Sequence, residues 1–319
     1  MNAASAAVFR ICAIVVIYYP DHQLLAKVIH ACLPQVDCMV IVDNTLGDGA
    51  ALEFAEHDDT HRLTVLRQNK NVGVAAALNV GIQFARSKSA THYLFLDQDS
   101  LPAPDMVMRL QLAWCAAVGD HLRVAAVGPS FSDERGGAPP PFIKVHFPTN
   151  QIVQFTAGTS YVETNLLITS GSLVSETALA SIGLMNEWLF IDNVDIEWGF
   201  RAQAQGWCLI GAPQAILMHR IGDDHLRAPP WVRWIFRRKI AVRHSDFRLY
   251  YIFRNRIALY RVATVPFVWK LQDLIRLPFK IALCLSISPQ PRETGKRLFI
   301  GIRDGLISRK SIDTAPEQK

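Results

Sequence analysis

Carboxylates gather at two places in this 319-residue chain. Tyr93-Leu94-Phe95-Leu96 runs into Asp97-Gln98-Asp99-Ser100, and Phe190-Ile191 runs into Asp192-Asn193-Val194-Asp195-Ile196-Glu197-Trp198. An Asp-x-Asp pair alone says little, because 19 Asp in 319 positions make about one such pair by chance. Its place says more. The apolar run before it reads as a buried strand, which delivers both carboxylates to the edge of a sheet where ligands bind. Two carboxylates beside a phosphate-bearing ligand repel it unless a divalent cation lies between them. Oxygen donors suit Mg²⁺ or Mn²⁺, and Mn²⁺ also accepts an imidazole, so His219, at the end of a later strand-like run, is a candidate third ligand.

In the second cluster, Asp192 and Asp195 stand at capping-box spacing ahead of an apolar helix, which assigns Asp192 to the N-cap and Asp195 to closing the box. The competing reading makes Asp195 a general base at a helix N-terminus, with Glu197 as its neighbour. Gly199 inside this helix costs about 1 kcal/mol relative to Ala and predicts a close approach there.

The elements that must position these groups alternate. Ile11–Tyr18, Met39–Asp43, Leu63–Arg67, Tyr93–Asp97 and Val124–Val127 read as strands, and Gln23–Cys32, Ala75–Arg86 and Met106–Val118 carry helical spacing. That order predicts a mostly parallel sheet covered on both faces, with ligands beyond the carboxyl ends of its strands. Three loops would share that crevice: Asp43-Asn44-Thr45, Asn69 to Gly73, and Asp97 to Ser100. Further on, Asn165–Thr169 reads as a strand before the turn Ser170-Gly171-Ser172. A helix runs from the acidic cluster to Gln205, and Trp207–Ile210 and Ala215–Met218 read as a strand pair.

Half of the residues are hydrophobic and 19 % are charged, which suits a packed protein and excludes a disordered one. Six cysteines form no CxxC pair and no zinc or disulfide framework. No apolar run is long enough to span a bilayer. The net charge of +5 hides an asymmetry: residues 231–310 hold 18 Lys and Arg against 4 Asp and Glu, whereas residues 1–230 hold 14 against 22. The chain therefore divides into an acidic body, 1–230, and a basic helical extension, 231–319. Trp231, Trp234, Phe236, Arg237, Arg238, Lys239 and Arg243 have the composition of an interfacial helix meeting anionic lipid. No nucleic-acid module accompanies this charge.

Taken in order, Val42-Asp43-Asn44-Thr45, Asn71-Val72-Gly73 with Ala77-Leu78-Asn79-Val80-Gly81-Ile82, and Leu96-Asp97-Gln98-Asp99-Ser100 resemble the bacterial family 2 glycosyltransferases of GT-A fold. So do Phe190 to Arg201 and His219-Arg220-Ile221-Gly222-Asp223. Within that family the resemblance is closest to rhamnosyltransferases of surface-polysaccharide assembly, whose tail resembles His244-Ser245-Asp246-Phe247-Arg248-Leu249-Tyr250-Tyr251-Ile252-Phe253-Arg254-Asn255-Arg256. It spans roughly residues 10–260. One departure is Asn193, where these enzymes usually carry an aromatic residue.

The resemblance implies a GT-A, Rossmann-like mixed sheet with a basic C-terminal helical extension. Asp43 would bond the pyrimidine base, Tyr18, Asn71 and Gly73 would line the nucleotide, and Gln98 would join them. Asp97, Asp99 and His219 would hold Mg²⁺ or Mn²⁺ on the donor diphosphate. Asp195 would be the catalytic base, and Gly171, Ser172, Glu197 and Trp198 would shape the acceptor pocket. The implied reaction is inverting transfer of L-rhamnose from dTDP-β-L-rhamnose to a glycan carried on a lipid diphosphate, at the cytoplasmic face of the cell membrane. A UDP-hexose or UDP-hexosamine donor on the same fold is the nearest alternative, and a silent membrane-associated scaffold a more distant one.

Overall fold

The computed structural model describes residues 9–47, 54, 61–132, 140–219, 224–236 and 240–308. The first part alternates as its pattern requires: β1 (Ile11–Ile17), α1 (His22–Cys32), β2 (Cys38–Asp43), β3 (Leu63–Arg67), α2 (Val74–Ser87), β4 (His92–Asp97), β5 (Ser100–Pro102), α3 (Met106–Gly119) and β6 (Val124–Ser132). The hairpin β7 (Ile143–Lys144) and β8 (Gln151–Ile152) follows, then β9 (Val162–Thr164), β10 (Leu173–Ser175), α4 (Glu176–Ile182), α5 (Val194–Ala204) and β11 (Cys208–His219). The C-terminal region holds β12 (Asp224–Arg227), α6 (Pro230–Phe236), β13 (Ile240–Arg243), α7 (Asp246–Leu259), α8 (Phe267–Ile287) and α9 (Pro291–Ile307).

The main sheet runs β3-β2-β1-β4-β10-β6-β11-β5, with β9 also paired to β11. β3, β2, β1 and β4 are mutually parallel, β10 runs against β4 and β6, and β6 and β11 are again parallel. Each central strand buries both faces, so its apolar run is nearly continuous. On β1, Ile11, Ala13, Val15 and Ile17 pack with Leu25, Val28 and Leu110 on one side. Cys12 and Ile14 pack with Leu78, Ile82, Leu179 and Trp198 on the other. The chain leaves β1 toward β2 on one side and reaches β4 on the other. This reversal opens a crevice beyond the carboxyl ends of β1 and β4.

Four expectations change. Residues 165–172 form a loop between β9 and β10 rather than a strand, because the ladder on β11 ends at Thr164. The expected strand pair is one strand, β11, whose register on β6 shifts between Ala212 and Ile216. The capping box does not form: Asn193 occupies the N-cap of α5 without a side-chain cap bond, and Asp192 is turned to another partner, Arg248. The interfacial helix expected over 231–243 ends at Phe236, and the chain resumes as a strand at Ile240. Arg237, Arg238 and Lys239 lie outside the described residues.

The region after residue 230 is fastened into the body by α7. Asn255, fully buried, donates its amide protons to the carbonyls of Leu189 (2.8 Å), Ile191 (2.7 Å) and Asp192 (2.9 Å). Arg248 meets both oxygens of Asp192 at 3.0 Å, and Arg254 donates to the carbonyls of Trp188 and Leu189 while lying over the Trp188 ring. Asn255→Ala strands those carbonyls in a dry site and is expected to lower stability by about 2–3 kcal/mol, read from the midpoint of urea unfolding. A loss under about 0.5 kcal/mol would mean that the loop holds itself.

Candidate active site

The register sets the site. Asp43 pairs with Ile17 and Asp97 with Val16, so the two residues flank the end of β1 on its neighbouring strands, with their backbones about 10 Å apart by strand spacing. Cross-bonds fix the loops to one another. The Tyr18 N–H donates to Gln98 Oε1 (2.8 Å), the Tyr19 N–H to Thr45 Oγ1 (3.0 Å), and the Thr45 N–H to Asp43 Oδ1 (2.8 Å). Tyr18 and Tyr19 remain exposed above the crevice, edge to face at 4.6 Å.

Asp43 is 1 % exposed, and its second oxygen, Oδ2, has no hydrogen-bond partner among the described residues; neither has Oδ1 of the adjacent buried Asn44. A buried, unpaired acceptor is costly. Two side by side at a sheet edge can accept a hydrogen-bond donor from a ligand.

Asn71 and Gly73 form the facing turn. Asn71 Oδ1 accepts from the Gly73 N–H (3.0 Å), and Asn44 Nδ2 donates to the Gly73 carbonyl (3.3 Å). Gly73 has φ +83°, and a Cβ there would lie 2.6 Å from the ring and carbonyl of Phe190. The Phe190 carbonyl in turn accepts from Val74 (2.6 Å) and Ala75 (3.3 Å) at the start of α2. The nucleotide-side turn and the second acidic cluster thus touch directly.

Asp97, Gln98 and Asp99 form the turn from β4 into β5, all half-buried. β5 pairs with the end of β11, which puts His219 opposite Ser100 and therefore one strand from the two carboxylates. Ser170, fully buried, braces this turn: its hydroxyl accepts from the Asp97 N–H (3.0 Å) and donates to Ser100 Oγ (2.7 Å). Reading the sequence did not single out Ser170, whose one signal was its place in a small-residue turn. Among the described residues no three His, Cys, Asp or Glu side chains gather as a metal cage. Two carboxylates with an imidazole on the next strand nevertheless suit Mg²⁺ or Mn²⁺ when a diphosphate brings further oxygens.

Asp195 sits in the first turn of α5, where its Oδ1 accepts from the Ile196 N–H (2.8 Å). It lines a small apolar recess with Phe95, Thr169, Ser172, Met185 and Trp198. Burial pushes its carboxyl up to about 6; the Ile196 N–H opposes that rise and the Asp192 charge adds to it. Such a group is ionised at neutral pH yet basic enough to take a proton.

The four residues expected around the acceptor divide. Ser172 and Trp198 line the recess with Asp195. Gly171, at φ +83°, makes the tight turn beside them, and a Cβ there would meet Pro129 at 2.5 Å. Glu197 is 2 % exposed and faces inward, with both oxygens held by Arg201 at 2.9 Å; Arg201 also donates to the carbonyls of Ile182 and Leu184. Glu197 braces α5 instead of contacting a ligand. The close approach expected at Gly199 is made by Leu209, 3.0 Å from where a Cβ would be.

Residues 13–169 match the family model described as Glycosyl transferase family 2. A dTDP-rhamnosyl transferase, RfbF of Shigella flexneri, is 27 % identical over 298 residues, 93 % of this chain and 95 % of that protein. A solved structure described as GalNAc-T7 with UDP, GalNAc and Mn²⁺ superposes with a TM-score of 0.55 at 15 % identity. It covers 86 % of this chain, which spans only 55 % of that structure's length. A structure of S. aureus TarS gives a TM-score of 0.49 at 14 % identity over 93 % of this chain and 55 % of that one. The family match falls on the strands and loops that build the crevice, and the similarity to RfbF extends over nearly the whole chain; the protein has the GT-A fold, its residues 13–169 form a glycosyl transferase family 2 domain, and it is a glycosyltransferase.

Proposed function

We propose that the enzyme transfers L-rhamnose from dTDP-β-L-rhamnose to a sugar hydroxyl of a glycan carried on a lipid diphosphate, with inversion, working at the inner surface of the cell membrane. The observation that carries the nucleotide-sugar reading is the unpaired Asp43 Oδ2, because a pyrimidine imide N–H is the donor it lacks. Thymine and uracil both present that N–H, so the thymidine choice and the rhamnosyl group rest on the similarity to RfbF.

Tyr18, Asn71, Gly73 and Gln98 line the nucleotide around Asp43. Asp97, Asp99 and His219 would hold Mg²⁺ or Mn²⁺, and that ion would supply charge neutralisation to the diphosphate leaving group. Asp195 accepts the proton of the acceptor hydroxyl while that oxygen bonds to the anomeric carbon. The bond from that carbon to the diphosphate oxygen breaks, and the electron pair leaves with dTDP. One displacement from the opposite face converts the β-linked donor into an α-linked product. Ser172, Trp198 and the Gly171 turn shape the acceptor side, and Glu197 acts there only by holding α5 in place.

Thermal shift with Mn²⁺ tests the donor. dTDP and dTDP-rhamnose are expected to raise Tm in an EDTA-sensitive manner, and Asp43→Ala should lose most of that shift. Stabilisation by UDP-glucose or UDP-N-acetylglucosamine alone would reassign the donor. Asp195→Asn should cut turnover at least about 10²-fold while leaving dTDP binding unchanged; near-normal turnover would remove Asp195 as the base.

Asp195 also predicts two pH effects. As the base it must be ionised, so kcat/KM should fall about tenfold per pH unit below about 6. For stability, a carboxyl whose pKa is raised on folding favours the native state only while protonated. That contribution is present below pH 4 and is lost as pH rises through 6. Asp195→Asn should therefore raise Tm at pH 8 and not at pH 4, and equal effects at both pH values would contradict the burial of this carboxylate.

A further inference from the structure

Helix α8 is apolar on both sides, and Trp269, Leu277 and Ile281 pack into the body. Its inward face also carries polar groups tied to the body. Gln272 Nε2 donates to the carbonyls of His146 (2.5 Å) and Pro148 (3.2 Å), and Asp273 accepts from Arg256 (2.7 Å), Tyr260 (2.6 Å) and Lys280 (2.5 Å). Its outward face carries Phe267, Leu274, Ile275 and Phe279, which are 74, 53, 57 and 45 % exposed. These positions follow i, i+7, i+8 and i+12, so they form one stripe. A surface helix ordinarily turns its apolar stripe to the core and its polar face to water. Here Gln272 and Asp273 are consumed by the protein, and a second apolar stripe beyond the one packed inward faces out, which marks an interaction surface.

Charge selects what covers it. α8 and α9 together hold seven Lys and Arg against three Asp and Glu, inside a region, 231–310, with a net charge of +14. A two-fold contact through this stripe would press two copies of the same cationic region together. An anionic lipid surface attracts that charge and accepts the aromatic and aliphatic side chains. No helix among the described residues is long and apolar enough to cross a membrane, so α8 suits lying in the plane of the interface.

We propose that α8 is the membrane-docking element of this enzyme, burying Phe267, Leu274, Ile275 and Phe279 in an anionic phospholipid surface. This rests on the reading that the acceptor is carried in a membrane, and it names the face that meets the bilayer. Arg256, which bonds Asp273 of α8, lies on α7 beside Asn255, the residue that grips the base loop. Docking through α8 therefore fixes the catalytic loop relative to the lipid surface.

The test is flotation of the full chain with vesicles of phosphatidylglycerol and phosphatidylethanolamine, beside vesicles of phosphatidylcholine, for the wild type and for Ile275→Gln/Phe279→Gln. Sedimentation velocity is run on both proteins. The wild type should float with the anionic vesicles and not with the neutral ones, and the double variant should bind at least about tenfold more weakly. The variant's Tm shift with dTDP and Mn²⁺ should be unchanged, which shows that it is folded and separates this proposal from the donor reading. Equal flotation of both proteins, or none by the wild type, overturns it. A self-association that the same substitutions abolish, without vesicle binding, also overturns it and assigns the stripe to a second copy.

Discussion

Much of this structure depends on holding a backbone that would not hold itself. Phe190, Asp192 and Asn193 all have φ near +62°, a region unfavourable for side-chain-bearing residues and most so for an aromatic one. They sit between α2, whose first N–H groups bond the Phe190 carbonyl, and α5, which carries Asp195. The constraint comes from α7. Asn255 gathers three carbonyls of this loop, Arg248 clamps Asp192, and the Tyr251 ring stacks on Phe190 at 4.7 Å. Asp195, the proposed base, thus follows a loop held by a helix some 60 residues further along the chain, and the region after residue 230 supports the candidate site as well as forming the basic surface.

The other half of the site is built oppositely, from regular strands. Parallel pairing of β2, β1 and β4 delivers Asp43 and Asp97 to one edge in fixed register, and short bonds among Tyr18, Thr45 and Gln98 tie the loops. Rigid strands leave Asp43 and Asn44 buried with unmet acceptors, a cost sensible only where a ligand supplies donors. Phe190 joins the halves, packing on Gly73 at one end of its loop while the chain leads to Asp195 at the other.

The strand side was legible in the sequence because each strand is buried on both faces and ends in a polar residue where the apolar run stops. Asp43 and the Asp97–Asp99 turn could therefore be placed from pattern alone. The base loop was not, because its conformation is imposed by distant contacts. Asp192 and Asp195 have capping-box spacing, but Arg248 and Asn255 override that local preference and leave Asn193 at the N-cap in a left-handed conformation. Arg201 stands one turn after Glu197, a spacing visible in the sequence, but that the pair turns inward and consumes the carboxylate depends on the carbonyls of Ile182 and Leu184, which are not. The charge of the tail was legible, whereas the outward apolar stripe of α8 was not: burial of Gln272 and Asp273 on the other side is a tertiary fact.

In the proposed reaction the Asp43 acceptor receives the pyrimidine of a nucleotide-sugar beside the Asp97–Asp99 turn. The most direct test is a crystal structure with dTDP-rhamnose and Mn²⁺. Asp43 Oδ2 is expected at about 2.7–3.1 Å from the thymine imide nitrogen, with the diphosphate beside Asp97 and Asp99. Thymine bound elsewhere, with Asp43 still unpaired, would contradict it.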